Sequence, residues 1–161
     1  GTLRLGAANA LPPNAPVTLA GGTYDLGGFT VTNQLTYISG AITNGVFRMD
    51  LSPAGTGTIG TQNLTMQAGS SIQGSYYANV AADGSSDLVA VTGSINLAGL
   101  SLQLVNPENL DSRKTYTLMT VSGARTGTFA STNLPSRWHA LYQTDGTVKL
   151  ICVNGTLMTL L

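Results

Sequence analysis

Seven carboxylates, one histidine and one cysteine are the groups in this 161-residue chain that could move protons or attack a substrate. The carboxylates are Asp25, Asp50, Asp83, Asp87, Glu108, Asp111 and Asp145. Glycoside hydrolysis or aspartic proteolysis needs two of them convergent in a cleft. Asp83 and Asp87 are the closest non-trivial pair, within Asp83-Gly84-Ser85-Ser86-Asp87. Asp-Gly is a turn signal by itself, so Asp83 reads as a turn residue and Asp87 as the cap of a following strand. Asp145-Gly146 reads the same way. A Ser/His/Asp triad would have to use His139, but no Gly-x-Ser-x-Gly elbow exposes a serine. His139 follows Trp138 in an alternating segment, so an inward Trp138 leaves His139 on the surface. Cys152 shares a face with Val148 and Leu150 and is expected to be buried and unreactive. With one Cys and one His there is no CxxC and no zinc ligand set. The Gly55–Gly60 stretch, Gly-Thr-Gly-Thr-Ile-Gly, precedes no helix and so lacks the N-terminus that cradles phosphate. The residues therefore point to no catalytic group, no metal and no cofactor.

Seven Lys+Arg balance seven Asp+Glu, and only 9% of residues are charged, against about 25% in an average domain. That excludes a basic footprint for nucleic acid and a polybasic membrane surface. Gly, Ser, Thr and Asn make up about two-fifths of the chain, yet 42% is hydrophobic, enough for a core. No stretch approaches the ~20 apolar residues of a membrane helix. The lone Cys152 cannot form an internal disulfide. A start at Gly1 without a leader leads to the expectation of a fragment or processed product.

The elements available to position side chains are strands. Apolar residues rarely recur at helical spacing, and the best helical chance is a turn at Pro107-Glu108-Asn109-Leu110. Period-two alternation dominates instead. Phe47, Met49 and Leu51 alternate with Arg48 and Asp50; Leu64 and Met66 with Thr65 and Gln67; Leu102 and Leu104 with Ser101 and Gln103. Val148, Leu150 and Cys152 repeat the pattern. Gly21-Gly22, Gly27-Gly28, Asn44-Gly45, Asp83-Gly84, Asp145-Gly146 and Asn154-Gly155 punctuate the strands as turns. Gly-Thr recurs at 1, 22, 55, 57, 60, 127, 146 and 155, and several copies open a strand. A repeated small-residue turn followed by an alternating strand suits an all-β solenoid, in which each coil is buried on its neighbours. An antiparallel β-sandwich is the alternative. From Ser86 onward longer strands are expected, and Tyr116, Phe129, Trp138 and Tyr142 gather there as a finished end would require.

The run Gly1–Pro12, then Val17-Thr18-Leu19, then Gly22-Thr23-Tyr24-Asp25-Leu26-Gly27-Gly28-Phe29, resembles the autotransporter-associated β-strand repeat. Ser86–Gly93, Thr115–Thr120, Gly127-Thr128-Phe129, Leu134-Pro135 and Tyr142–Leu150 are similar, in that order, to the last coils of passenger domains in type V secretion. Nearly the whole chain is covered. The resemblance implies a right-handed parallel β-helix on the bacterial surface, reached through the periplasm and outer membrane. It also implies that the last coils act as an autochaperone-like folding nucleus. Cys152 departs from the family, whose passengers are poor in cysteine.

The resulting expectation is one continuous unit, with β-solenoid coils over 1–85 and final coils and cap over 86–161. It would be a non-enzymatic passenger segment that templates and stabilises folding. Leu118, Phe129, Trp138, Tyr142 and Leu150 would form the inward cap core. Its partners would be the rest of its own passenger and a downstream membrane barrel, with no nucleic acid and no membrane span in this segment. A rival reading is an adhesin face that binds host glycan or protein through outward Tyr24, Tyr37 and Tyr77. A third is a surface hydrolase working through carboxylates. Asn63-Leu64-Thr65 and Asn154-Gly155-Thr156 match the N-glycosylation pattern, which matters only in a eukaryotic secretory host.

Overall fold

The computed structural model describes residues 1–12 and 14–153. Fourteen strands follow one another: β1 (Thr2–Arg4), β2 (Val17–Asp25), β3 (Thr30–Thr43), β4 (Gly45–Arg48), β5 (Thr61–Met66), β6 (Ser70–Ala78) and β7 (Leu88–Gly93). Then come β8 (Ile95–Asn96), β9 (Leu100–Leu104), β10 (Tyr116–Val121), β11 (Arg125–Thr126), β12 (Ser131–Thr132), β13 (Trp138–Tyr142) and β14 (Val148–Cys152). The one helical turn among the described residues is a 3₁₀ turn at Pro107–Asn109, where Pro107 supplies a helix-compatible φ. The fold is all-β, with parallel and antiparallel pairing together.

Parallel pairing builds three ladders. The first runs β1–β2–β3–β5–β7–β10. The second joins the start of β3 to β4, β6, β8 and β11. The third joins the end of β6 to β9 and β12, with Leu51 bridged to Tyr76 on its other side. Every pair of strands between β1 and β9 is parallel. From β2 onward the offset along the first ladder grows: Thr23 faces Ala41, 18 positions on, Ala41 faces Thr65, 24 on, and Val89 faces Met119, 30 on. All three ladders run across position 85 without a break.

Antiparallel strand pairing is confined to the end. There β14 lies against β10, and β13 against β14. The β13–β14 connection is a hairpin closed by Gln143 N–H donating to the Thr147 carbonyl at 2.9 Å. Asp145-Gly146 forms its turn, with Gly146 at φ +87°.

Alternation fixes which side chains are inward. Phe47, Met49 and Leu51 are all buried, as are Leu64, Met66, Leu102, Leu104, Val148 and Leu150. The longer strands are not those after Ser86, contrary to expectation. β3 has 14 residues, and β2 and β6 have 9 each, whereas strands from β7 on have at most 6. The reason lies in glycines at corners. Within β6, Ser70 to Gln73 pair with the second ladder and Gly74 to Ala78 with the third, so the strand turns a corner without leaving its hydrogen bonds. Gly74 sits at the bend with φ +149°, and a Cβ there would strike the Met49 carbonyl oxygen.

Gly93 ends β7 at φ +97°, and a Cβ there would overlap the carbonyl oxygen of Met66. Both the backbone conformation and the space are closed to an L side chain. Gly93→Ala is expected to cost about 2–3 kcal/mol, from strained φ plus a clash with a fixed backbone atom. Chemical denaturation of the variant measures this. A midpoint unchanged from the parent would mean that the corner does not hold its backbone.

Candidate functional site

The seven acidic residues do not converge. Four of them hold turns by accepting the N–H two residues on: Asp25 from Gly27 at 2.9 Å, Asp83 from Ser85 at 2.8 Å, Asp111 from Arg113 at 3.0 Å and Asp145 from Thr147 at 2.8 Å. These bonds favour the ionised form. Asp25 and Asp145 are lowered chiefly by that backbone N–H, and Asp83 chiefly by the Ser85 hydroxyl. Asp111 is lowered to about 2, chiefly by the Arg113 side chain. Each folded value lies below the ordinary 3.8. Their support is therefore complete above 3.8 and is lost as pH falls through the folded values. The melting temperature should accordingly lose nothing from these turns above pH 5 and should decline below about pH 4. Thermal melts across pH 7 to 2 test this, and a melting temperature that rises on acidification would refute it.

Asp87 stands directly before β7, at the strand start expected of it. It is fully buried. Its carboxylate accepts Gly60 N–H at 2.8 Å, Asn79 N–H at 2.9 Å and the Asn79 side-chain amide at 2.8 Å. Asn79 in turn donates to the Gly55 carbonyl at 2.7 Å and accepts from Gly57 N–H at 2.8 Å. The glycine-rich 55–60 stretch is thus held by a buried Asn–Asp pair. Beside it the Tyr76 hydroxyl lies 2.9 Å from the Asp87 carbonyl oxygen and 2.8 Å from that of Leu118. Burial, followed by the Asp87 charge, pushes the Tyr76 phenol well above its usual range.

The asparagine motif repeats. Asn106 accepts from Val80 N–H at 2.8 Å and donates to the Val80 carbonyl at 2.9 Å. Asn133 accepts from Leu104 N–H at 2.7 Å. Asn79, Asn106 and Asn133 stand 27 positions apart, and each reaches back to the preceding layer. Residue-by-residue reading missed this set. The 27-residue recurrence of asparagine was the signal that would have found it.

The expected cap residues lie at the end of the sheets. Leu118 and Leu150 are fully buried, and Phe129 and Trp138 are buried at 7% and 8% exposure. Trp138 packs on Tyr116 with ring centroids 5.7 Å apart, and Phe129 on Tyr142 at 6.0 Å. Tyr142 shares the inward face of β13 with Trp138 and is half-buried against the core. Its hydroxyl accepts Phe129 N–H at 3.0 Å, and the Arg125 guanidinium lies 5.0 Å from its ring centroid. Cys152 is also only half-buried, because it occupies the last position of β14 at the rim of the core. It is thus not the sealed thiol expected. Slow, incomplete labelling by a thiol reagent in native buffer is the expected behaviour, and complete protection would contradict the half-exposed position. His139 is exposed beside the inward Trp138.

The three tyrosines considered for ligand contact separate. Tyr24 is buried at 2% exposure and does not face outward. It stands two positions before buried Leu26 and shares that residue's inward face. Burial raises its phenol above the usual range. Tyr37 is half-buried; its hydroxyl donates to the Gly40 carbonyl at 2.7 Å and accepts Thr65 N–H at 3.1 Å. Tyr77 is exposed at 41%, next to inward Tyr76 on the third ladder. They form no common surface. Asn63 is exposed on β5, while the second glycosylation motif, at Asn154, lies outside the described residues.

No protein-family model, curated protein or solved structure gives a significant match to this chain. Among the described residues, no group of three or more His, Cys, Asp or Glu is placed to hold a metal ion. None of the helices described is long and apolar enough to cross a membrane.

Proposed function

We propose that this chain is a structural, non-enzymatic β-solenoid segment, a right-handed parallel β-helix closed by a C-terminal β cap. In this reading it is the end of a bacterial type V passenger, displayed on the cell surface or released from it. Its partners are the remaining passenger chain and the membrane barrel downstream. The observation that carries the reading is the change of pairing at β10. Five successive strand pairs of the first ladder are parallel; the sixth, β10 with β14, is antiparallel, and β14 folds back on β13 as a hairpin. A sandwich needs facing antiparallel sheets and gives no reason for offsets of 18 to 30 positions between the parallel partners of the first ladder.

Templating follows from that geometry. A hairpin forms from local contacts, with little loop-closure entropy. Once seated on β10, it fixes one layer whose open edge accepts the next. Each added layer offsets its ordering entropy with a ladder of hydrogen bonds and a stack of buried apolar side chains. At the opposite end Leu3 of β1 is 57% exposed.

Native-state hydrogen exchange tests the reading. Amides of residues 1–35 are expected to exchange before those of β10, β13 and β14, because local opening follows contact density. Protection of residues 1–35 that outlasts the hairpin would remove the physical basis of a C-terminal nucleus.

A further inference from the structure

Two asparagines of the chain are followed by glycine, in Asn44-Gly45 and Asn154-Gly155, the second outside the described residues. Glycine has no Cβ, so its backbone nitrogen is the least hindered one that can reach the side-chain carbonyl of a preceding asparagine. Asn44 is exposed at the corner between β3 and β4. It holds φ +57°, a left-handed conformation that asparagine tolerates.

In the folded corner each group that such a reaction would use is already committed. Gly45 N–H donates to the Gly69 carbonyl at 3.2 Å, and the Asn44 carbonyl accepts Gly28 N–H at 2.7 Å. The Asn44 side-chain amide donates to the Asp25 carboxylate at 3.2 Å. Gly28 and Asp25 come before the corner and Gly69 after it, so the neighbouring layers hold it from both sides. Space is closed as well: a Cβ at Gly45 would strike the Phe29 carbonyl oxygen and the Leu26 side chain.

We propose that Asn44 is a deamidation site gated by folding, reactive in the unfolded chain and shut in the native corner. The Gly45 nitrogen, losing its proton to solvent, attacks the Asn44 side-chain carbonyl carbon. A C–N bond forms, the bond to Nδ2 breaks, and Nδ2 takes up a proton and leaves as ammonia. Water then opens the five-membered imide at either carbonyl, giving aspartate or isoaspartate. One water is consumed, one ammonia is released, and nothing is oxidised. In the native corner the attacking nitrogen must first let go of Gly69, and Asn44 must leave the conformation that its bond to Gly28 fixes. The barrier also works in reverse. Isoaspartate adds a main-chain carbon directly before Gly45, where there is no room even for a Cβ. Aspartate keeps the backbone unchanged, and Arg4, 3.5 Å from the other Asp25 oxygen, offsets the added charge. The aspartyl chain therefore refolds and the isoaspartyl chain does not. The corner records how long the chain has stayed unfolded.

The 161-residue chain is incubated in mildly alkaline buffer with and without unfolding urea, beside a synthetic peptide of residues 40–49 in the same urea. Proteolytic peptides are mapped by mass spectrometry, with aspartate and isoaspartate separated by chromatography. Conversion at Asn44 in urea is expected at the rate of the peptide. In native buffer it should be at least about tenfold slower, because reaction then waits for local opening. After urea is removed, the refolded fraction should carry the aspartyl form, and the fraction that fails to refold should be enriched in isoaspartate. Asn44→Gly suits φ +57° and cannot form the imide, so its refolding yield should outlast the same incubation. Equal rates with and without urea, no conversion at Asn44 in urea, isoaspartate equally frequent in the two fractions, or the parent's loss of yield in Asn44→Gly would each overturn the proposal.

Discussion

Asp87→Ala is expected to lower the unfolding free energy by roughly 3–5 kcal/mol, because each buried donor left unpaired costs about 1–3 kcal/mol. Three donors lose their acceptor together: Gly60 N–H, Asn79 N–H and the Asn79 side-chain amide. The loss is large against the 5–15 kcal/mol that holds a typical domain. Asp87→Asn separates the charge from the hydrogen bonds. It keeps an acceptor oxygen but turns an amide N–H toward donors, so an intermediate loss is expected. Asn79→Ala should approach the effect of Asp87→Ala, and the double variant should cost less than the sum, since both residues belong to one network. Urea denaturation followed by far-ultraviolet circular dichroism measures all four chains. Additive losses at Asp87 and Asn79 would show that the network does not act as a unit.

Trp138→Ala should cost roughly 3–5 kcal/mol as well, the usual range for removing a buried aromatic ring. Trp138 is 8% exposed, and its ring lies against Tyr116. How the loss divides between rates decides the proposed role. If the β13–β14 hairpin forms early and templates the stack, Trp138→Ala slows folding and leaves unfolding nearly unchanged. A hairpin that closes last gives the reverse. Trp138→Phe retains most of the contact with Tyr116 and should recover more than half of the stability. Because Trp138 is the chain's one tryptophan, the kinetics must be followed by circular dichroism rather than by fluorescence. In the passenger that carries this segment, slower folding should appear as slower surface display. A variant that folds at the parent rate and unfolds faster would rule out the hairpin as a nucleus.

Much of the local structure was legible because strand alternation is a local property. Phe47, Met49 and Leu51 all face inward because side chains two apart in a strand must share a side. Pro107–Asn109 forms a short helical turn, and Asp145-Gly146 forms a hairpin turn, for equally local reasons of φ preference. Where local reading failed, longer-range contacts had overruled it. Strands before Ser86 turned out longer because Gly74 lets β6 pass a corner while staying paired. Cys152 fell at the rim because the core ends there, and alternation says nothing about where a core ends.

Composition, near-zero charge, alternation and turn residues therefore determined an all-β chain with its inward residues marked. Tertiary structure alone decided which strand lies beside which. In the first ladder parallel partners stand 18 to 30 residues apart, and a period-two pattern is compatible with any partner that keeps the same face inward. The same long-range pairing buried Asp87 under Asn79 and stacked Asn106 and Asn133 on earlier layers. An isolated Asp or Asn in a polar turn looks alike whether it faces water or a neighbouring layer, because only the layer supplies the N–H groups that make its burial favourable.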